Sequence, residues 1–96
     1  MDEKKVLLVE DDKFLRETLA KKLMGTGLVV EAAFDGKNAL DLTAKFLPDV
    51  ILLDLLLPDI DGYQVLTELK KNPTLSKIPV IVLSNLDKPD DMVKAK

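Results

Sequence analysis

The chain has 96 residues, of which 47% are hydrophobic and 32% are charged, and its formal net charge is −3. This balance is typical of a soluble globular protein with one domain over residues 1–96, and the lysines form no basic patch for nucleic acid. The chain lacks histidine and cysteine, which excludes a Ser-His-Asp triad, a His-ligated zinc, a thiolate metal site and disulfides within it. No membrane span or signal peptide is recognisable, so we expect a cytoplasmic protein.

The first half of the chain alternates between short apolar runs and amphipathic stretches. Residues 5–9 predict a buried strand, and residues 13–24 predict a helix whose leucines recur every four positions. Residues 28–32 predict a second strand, in which Glu31 indicates an edge position. An Asp-Gly turn then leads into a helix over 37–46, which a proline closes.

The second half continues the same alternation. Residues 49–54 predict a central strand that is apolar on both faces, as in parallel sheets, and 55–61 predict a loop. A helix follows from 62 to about 71, then a strand over 78–83 and a last helix that begins near 87–90. The order βαβαβαβα predicts a parallel sheet with helices on both faces.

Polar residues follow three of the predicted strands. Glu10 and Asp11 come directly after the first strand, Asp54 ends the third and Ser84 follows the fourth. Ligands of such sheets bind outside the carboxyl ends of the strands, where these side chains are expected to converge. A carboxylate in an apolar strand is costly unless a cation or a chemical task compensates for it. The sequence therefore predicts an acidic site at this edge.

These segments together resemble the receiver domain of two-component response regulators (CheY-like). The resemblance spans the whole chain and is carried by Val9-Glu10-Asp11-Asp12, Leu53-Asp54-Leu55-Leu56-Leu57-Pro58, Asp61-Gly62 and Pro79-Val80-Ile81-Val82-Leu83-Ser84. It implies an α/β, flavodoxin-like three-layer sandwich with a parallel sheet of order 2-1-3-4, lacking the usual fifth βα unit. It also implies a signalling phosphoacceptor, with at most weak autophosphorylation and autodephosphorylation, rather than an enzyme.

The resemblance implies that Asp54 accepts a phosphoryl group from a sensor histidine kinase or phosphotransfer protein. A carboxylate is already a nucleophile at neutral pH and needs no general base. By the same resemblance, the Ser84 hydroxyl would hydrogen-bond a phosphoryl oxygen. Taken alone, however, an acid such as Asp54 is more often an ordinary strand-end acid, and Ser84 an ordinary strand-end serine.

The resemblance also implies a Mg²⁺ site formed by Glu10, Asp11, Asp54 and the backbone carbonyl of Leu56. Asp11 is expected to be a direct ligand and Glu10 to act partly through water. Magnesium prefers hard oxygen ligands and keeps several waters, so this donor set is adequate. Without the other segments, the acids after the first strand are equally consistent with capping of the following helix, a role that we expect for Asp12.

The chain departs from the family pattern at its carboxyl end. Receiver domains have a fifth strand ending in a phosphoryl-binding lysine, whereas this sequence stops at Lys96, within the expected fourth helix. Neither Lys94 nor Lys96 is expected to take that role. We expect a receiver domain that is incomplete at the C-terminus, with an open strand-four edge that favours a homodimer or swapped oligomer.

Three other functions are alternatives to this interpretation. The first is a receiver-derived fragment or engineered scaffold that keeps the fold, self-associates and has little or no phosphotransfer activity. The second is a Mg²⁺-dependent phosphohydrolase with an Asp nucleophile, in which a second acid would occupy the position of Leu56. The third is a flavodoxin, which is disfavoured because the loop after the first strand is acidic and does not suit a bound phosphate.

Overall fold

The computed structural model describes residues 3–54 and 62–83. The predicted loop over 55–61 and the last helix near 87–90 lie outside the described residues. In chain order, the described elements are β1 (Lys5–Val9), α1 (Lys13–Gly25), β2 (Val29–Ala33), α2 (Gly36–Phe46), β3 (Val50–Asp54), α3 (Gly62–Lys71), a one-turn 3₁₀ helix (Leu75–Lys77) and β4 (Val80–Leu83).

The four described strands form one parallel sheet in the order β2-β1-β3-β4. This is the predicted order of the flavodoxin-like fold, and the exposed Glu31 does lie on the edge strand β2. The connection from β1 to β2 moves toward one edge of the sheet, whereas the next two connections move toward the other edge. Right-handed crossovers therefore place α1 on one face of the sheet and both α2 and α3 on the other.

The core lies between the sheet and helices α2 and α3. Leu7 and Val9 of β1 pair with Ile51 and Leu53 of β3 in register, so all four side chains point to the same face. They are at most 1% exposed and pack in one cluster with apolar residues of both helices, Ala39, Val65 and Leu69. This layer fixes β1 and β3 side by side, and their carboxyl ends carry the predicted site.

The opposite face is less completely covered within the described residues. Helix α1 packs on β2 and β1 and has no fully buried residue; Phe14 is 75% exposed. Leu52 of β3 is half-buried on this face, and Ile81, its register partner on β4, is 54% exposed. The prediction that β3 is apolar on both faces is correct, but only one face is fully buried. No helix of the described residues is long and apolar enough to cross a membrane.

Two of the element bounds that differ from the sequence prediction have local reasons. β2 begins at Val29, one residue late, because Gly27 has a left-handed φ of 95° and the Val29 N–H donates to the oxygen of Lys4, directly before β1. β4 begins at Val80 rather than residue 78. An unpredicted 3₁₀ turn precedes it, and the Asn72 side chain stabilises that turn by accepting the Thr74 and Leu75 N–H groups.

Candidate functional site

Strand register places the first and third predicted acids beside each other. Val9 pairs with Leu53, so the next residues, Glu10 and Asp54, follow at the same edge of adjacent strands. Backbone hydrogen bonding continues one residue beyond β1, since Glu10 N–H donates to Ala33 O at 3.0 Å. Glu10 is thereby held in the sheet, and its side chain is directed toward the end of β3.

The structure brings Glu10, Asp11 and Asp54 together. Each offers a carboxylate oxygen, and the three oxygens all lie within 4.8 Å of one another. Glu10 is buried at 6% exposure, Asp54 is half-buried and Asp11 is exposed. The cluster thus spans from the protein interior to solvent. We call this group of three residues the acidic edge.

The electrostatics of the acidic edge are strained without a cation. The pKa of Glu10 is raised from 4.5 to about 7; burial is the largest cause, and the Asp54 and Asp11 carboxylates act in the same direction. The protonated form of Glu10 can hydrogen-bond to Asp54, which has the same effect. The backbone N–H of Asp12, which donates to Glu10 Oε2 at 3.1 Å, acts in the opposite direction. A divalent cation would relieve this repulsion, and three oxygen donors suit a hard ion such as Mg²⁺.

Asp12 caps α1, as predicted from the sequence. Its Oδ1 accepts the Leu15 N–H at 2.9 Å, and its backbone is extended, as in an N-cap residue. The cap begins the helix directly after the acidic edge. Of the acidic run 10–12, only Asp12 has a side chain that caps the helix. Helix capping therefore accounts for Asp12, and the metal-site interpretation applies to Glu10 and Asp11.

Arg16 is a contact of the site that the sequence analysis missed. Its Nη1 donates to the backbone oxygens of Glu10 at 3.0 Å and Asp11 at 3.2 Å. The available signal was composition, since Arg16 is the only arginine in the chain and follows the acidic run within two helical turns. Spacing alone could not show that the side chain turns back to the loop.

Two further predicted site residues lie outside the described residues. Leu56, whose carbonyl was assigned to the metal, falls in 55–61, and Ser84 falls in 84–96. Gly62, the first residue of α3, is described and buried.

The family model for the response regulator receiver domain matches residues 6–96. The chain belongs to this family. Response regulator receiver domains are signalling domains of two-component systems, and the parallel sheet described above is the fold of that family.

Individual relatives agree with this assignment. The response regulator MprA of Mycolicibacterium vanbaalenii is 38% identical over 89 residues, which are 93% of this chain and 38% of that protein. The phosphorylated cyanobacterial phytochrome response regulator RcpA has a TM-score of 0.80 at 36% identity, covering 98% of this chain and 74% of that one. The Mn²⁺-bound response regulator Rcp1 has a TM-score of 0.75 at 35% identity, with coverages of 96% and 73%. The receiver chain spans less than half the length of the curated relatives that it matches.

Proposed function

We propose that this receiver domain accepts a phosphoryl group on Asp54, with Mg²⁺ bound at the acidic edge. The observation that carries the proposal is the approach of the Glu10, Asp11 and Asp54 carboxylates to within 4.8 Å. Three acids at one sheet edge are unfavourable for stability alone, as the raised pKa of Glu10 indicates. A site that binds a cation and a phosphoryl group gives this arrangement a function.

The chemistry requires only a carboxylate nucleophile. An Asp54 oxygen attacks the phosphorus of a phosphohistidine; the new P–O bond forms as the P–N bond breaks, and the imidazole leaves with the electron pair. The product is an acyl phosphate on Asp54. Slow attack by water on its phosphorus breaks the bond between phosphorus and the aspartyl oxygen, which releases inorganic phosphate and restores the carboxylate.

Glu10, Asp11 and Asp54 would hold the cation, with Asp11 presented to solvent and Glu10 to the interior. When bound, Mg²⁺ would neutralise charge on the phosphoryl oxygens. Glu10 must release its proton for the site to carry its full negative charge. The backbone N–H of Asp12 assists because it donates to the Glu10 carboxylate.

Two relatives support the proposal. The structure of RcpA is of a phosphorylated response regulator, and that of Rcp1 contains Mn²⁺, a cation with the same preference for oxygen ligands as Mg²⁺. A sensor histidine kinase or phosphotransfer protein is the proposed donor. The Leu56 carbonyl as a metal ligand and the Ser84 hydroxyl as a phosphoryl partner stay predictions.

Acetyl phosphate labelling tests the phosphoacceptor role directly. Intact-mass spectrometry of the wild-type chain with acetyl phosphate and Mg²⁺ should detect one added phosphoryl group, and EDTA should suppress it. Asp54→Asn should abolish labelling. Asp41→Asn removes an exposed acid of α2 and is the matched control, which should label normally. Labelling of Asp54→Asn at the wild-type level would refute the assignment.

We also propose that this chain self-associates through β4. In the described residues β4 is an edge strand, and its Ile81 is 54% exposed. An edge strand with an exposed apolar side chain favours strand pairing between copies. Light scattering should give a dimer mass that Ile81→Lys lowers, whereas a monomer mass for the wild-type chain at the same concentration would contradict this.

A further inference from the structure

The loop that carries two of the three acids is held by a single cationic side chain. Arg16 Nη1 donates to the carbonyl oxygens of Glu10 and Asp11 together. Hydrogen bonds from a charged donor are stronger than those between neutral groups, and one guanidinium nitrogen shared by adjacent carbonyls restrains both peptide units. These are the peptide units from which the two carboxylates project.

Arg16 is itself placed by the helix that begins after the loop. Its backbone N–H donates to Asp12 O at 2.8 Å, in the first turn of α1, and Asp12 caps the same turn through the Leu15 N–H. The α1 helix is thus a rigid mount from which the side chain returns to residues 10 and 11. The loop is therefore fixed to α1 in two ways, by the Arg16 side chain and by the Asp12 cap.

The two acids depend on Arg16 to different extents. Glu10 is also held by its backbone bond to Ala33 O and by its carboxylate bond from the Asp12 N–H. Among residues 3–54 and 62–83, Arg16 supplies the one hydrogen bond to Asp11, which is exposed. Asp11 is therefore the carboxylate whose orientation should change most when the guanidinium is lost.

We propose that Arg16 is a positioning residue that sets the Mg²⁺ affinity of the acidic edge, by holding the Glu10 and Asp11 carbonyls from α1. This inference rests on the proposed function, since it requires that the site binds a cation. Groups that orient metal ligands without touching the metal typically change affinity 10- to 100-fold when removed. We expect a rise in the Mg²⁺ dissociation constant of about ten-fold, near the lower bound, because Glu10 keeps its other restraints.

The charge of Arg16 has an effect of the opposite sign. A positive side chain near the site repels a cation, so its removal would tighten Mg²⁺ binding if electrostatics alone operated. Arg16 is half-exposed, and surface charges are screened by water and salt. Positioning and repulsion therefore predict opposite changes in affinity, and a variant that keeps the charge separates them.

Isothermal titration with Mg²⁺ across three variants provides the test. Arg16→Lys keeps the charge but loses the planar guanidinium, and Arg16→Gln loses both the charge and the guanidinium. Positioning predicts a higher dissociation constant in both variants, persisting at high salt. Lys13→Gln removes an exposed charge of the same helix turn and should change affinity little.

Each alternative result overturns the inference. If repulsion dominates, Arg16→Gln binds Mg²⁺ more tightly and Arg16→Lys resembles the wild type. If Arg16 only stabilises the fold, both variants lower the metal-free denaturant midpoint while the dissociation constant is unchanged. Wild-type Mg²⁺ binding and acetyl phosphate labelling, with unchanged affinity in both variants, would refute the role of Arg16 but leave the proposed function standing. Absence of Mg²⁺ binding by the wild-type chain would refute the proposed function itself.

Discussion

Charged side chains are arranged differently at the two ends of the parallel sheet. At the amino end, Lys5 and Asp49 partner each other: the Lys5 N–H donates to Asp49 Oδ2 at 2.7 Å, and Asp49 N–H donates to Lys5 O at 2.8 Å. Lys5 Nζ also donates to Phe46 O at 2.7 Å and lies 5.2 Å from the Phe46 ring centre. We call these three residues the amino edge. At the acidic edge, three carboxylates instead face one another.

This difference distinguishes polar groups that stabilise the fold, at the amino edge, from polar groups that form a candidate binding site, at the acidic edge. The Lys5 ammonium compensates the last carbonyl of α2, so the amino edge stabilises the fold as it stands. At the acidic edge, burial first and then the neighbouring Asp54 and Asp11 carboxylates raise the pKa of Glu10. Removing charge should therefore destabilise the amino edge and stabilise the metal-free acidic edge.

Metal-dependent stabilisation through the acidic edge is one of the two largest expected effects. At a Mg²⁺ concentration 100 times the dissociation constant, the free energy of unfolding should rise by about 2.7 kcal/mol, because the folded state alone has the assembled site. Urea unfolding followed by circular dichroism measures this rise. Asp11→Asn should lose most of it, whereas Lys5→Met, at the amino edge, should keep it. Equal stabilisation of Asp11→Asn and wild type would place the metal elsewhere.

The next effect is the pH dependence of the metal-free protein. The folded pKa of Glu10, about 7, lies above its ordinary value of 4.5, so the unfolded chain releases this proton first as pH rises. The contribution to stability is complete below about pH 4.5 and is lost as pH rises to about 7, on the order of 3 kcal/mol.

Glu10→Gln isolates this contribution, because glutamine mimics the protonated side chain and does not titrate. Unfolding in EDTA at pH 5 and pH 8 should show wild type losing stability relative to Glu10→Gln. Parallel pH profiles of the two proteins would mean that Glu10 does not titrate in this range.

At the amino edge, Lys5→Met should lower stability by about 1 to 2 kcal/mol. It removes the hydrogen bond to Phe46 O and the cation–π contact but keeps an apolar stem of similar length. Lys4→Met is the matched control, since Lys4 is exposed. Chemical denaturation at one pH compares them, and an equal loss in both would show that the Lys5 contacts contribute nothing.

The smallest effect compares the helix caps of α1 and α2. Asp12→Ala and Asp35→Ala should each cost about 1 kcal/mol, because both carboxylates accept a backbone N–H at the N-terminus, at 2.9 and 2.8 Å. Only Asp12→Ala should also weaken Mg²⁺ binding, since α1 carries Arg16. Unfolding and Mg²⁺ titration of both variants test this. Equal Mg²⁺ affinity in the two variants would show that the start of α1 does not affect the site.

Local signals were enough to predict the order of elements and the position of most of them. The four apolar runs are short, the helices between them have a regular apolar repeat, and acids follow β1 and end β3. The 3₁₀ turn before β4 was missed because it depends on the Asn72 side chain accepting two backbone N–H groups, which one-residue preferences do not reveal.

The sequence by itself determined that carboxylates stand at the carboxyl ends of the first and third strands, because strand length and chain order are local properties. Only the tertiary structure decided which acid is buried. Glu10 is sealed in because the pairing of Val9 with Leu53 sets it beside Asp54, while Asp11 faces solvent. The return of Arg16 to the loop was also decided there, since a side chain finds its acceptors only when the helix direction is set by packing.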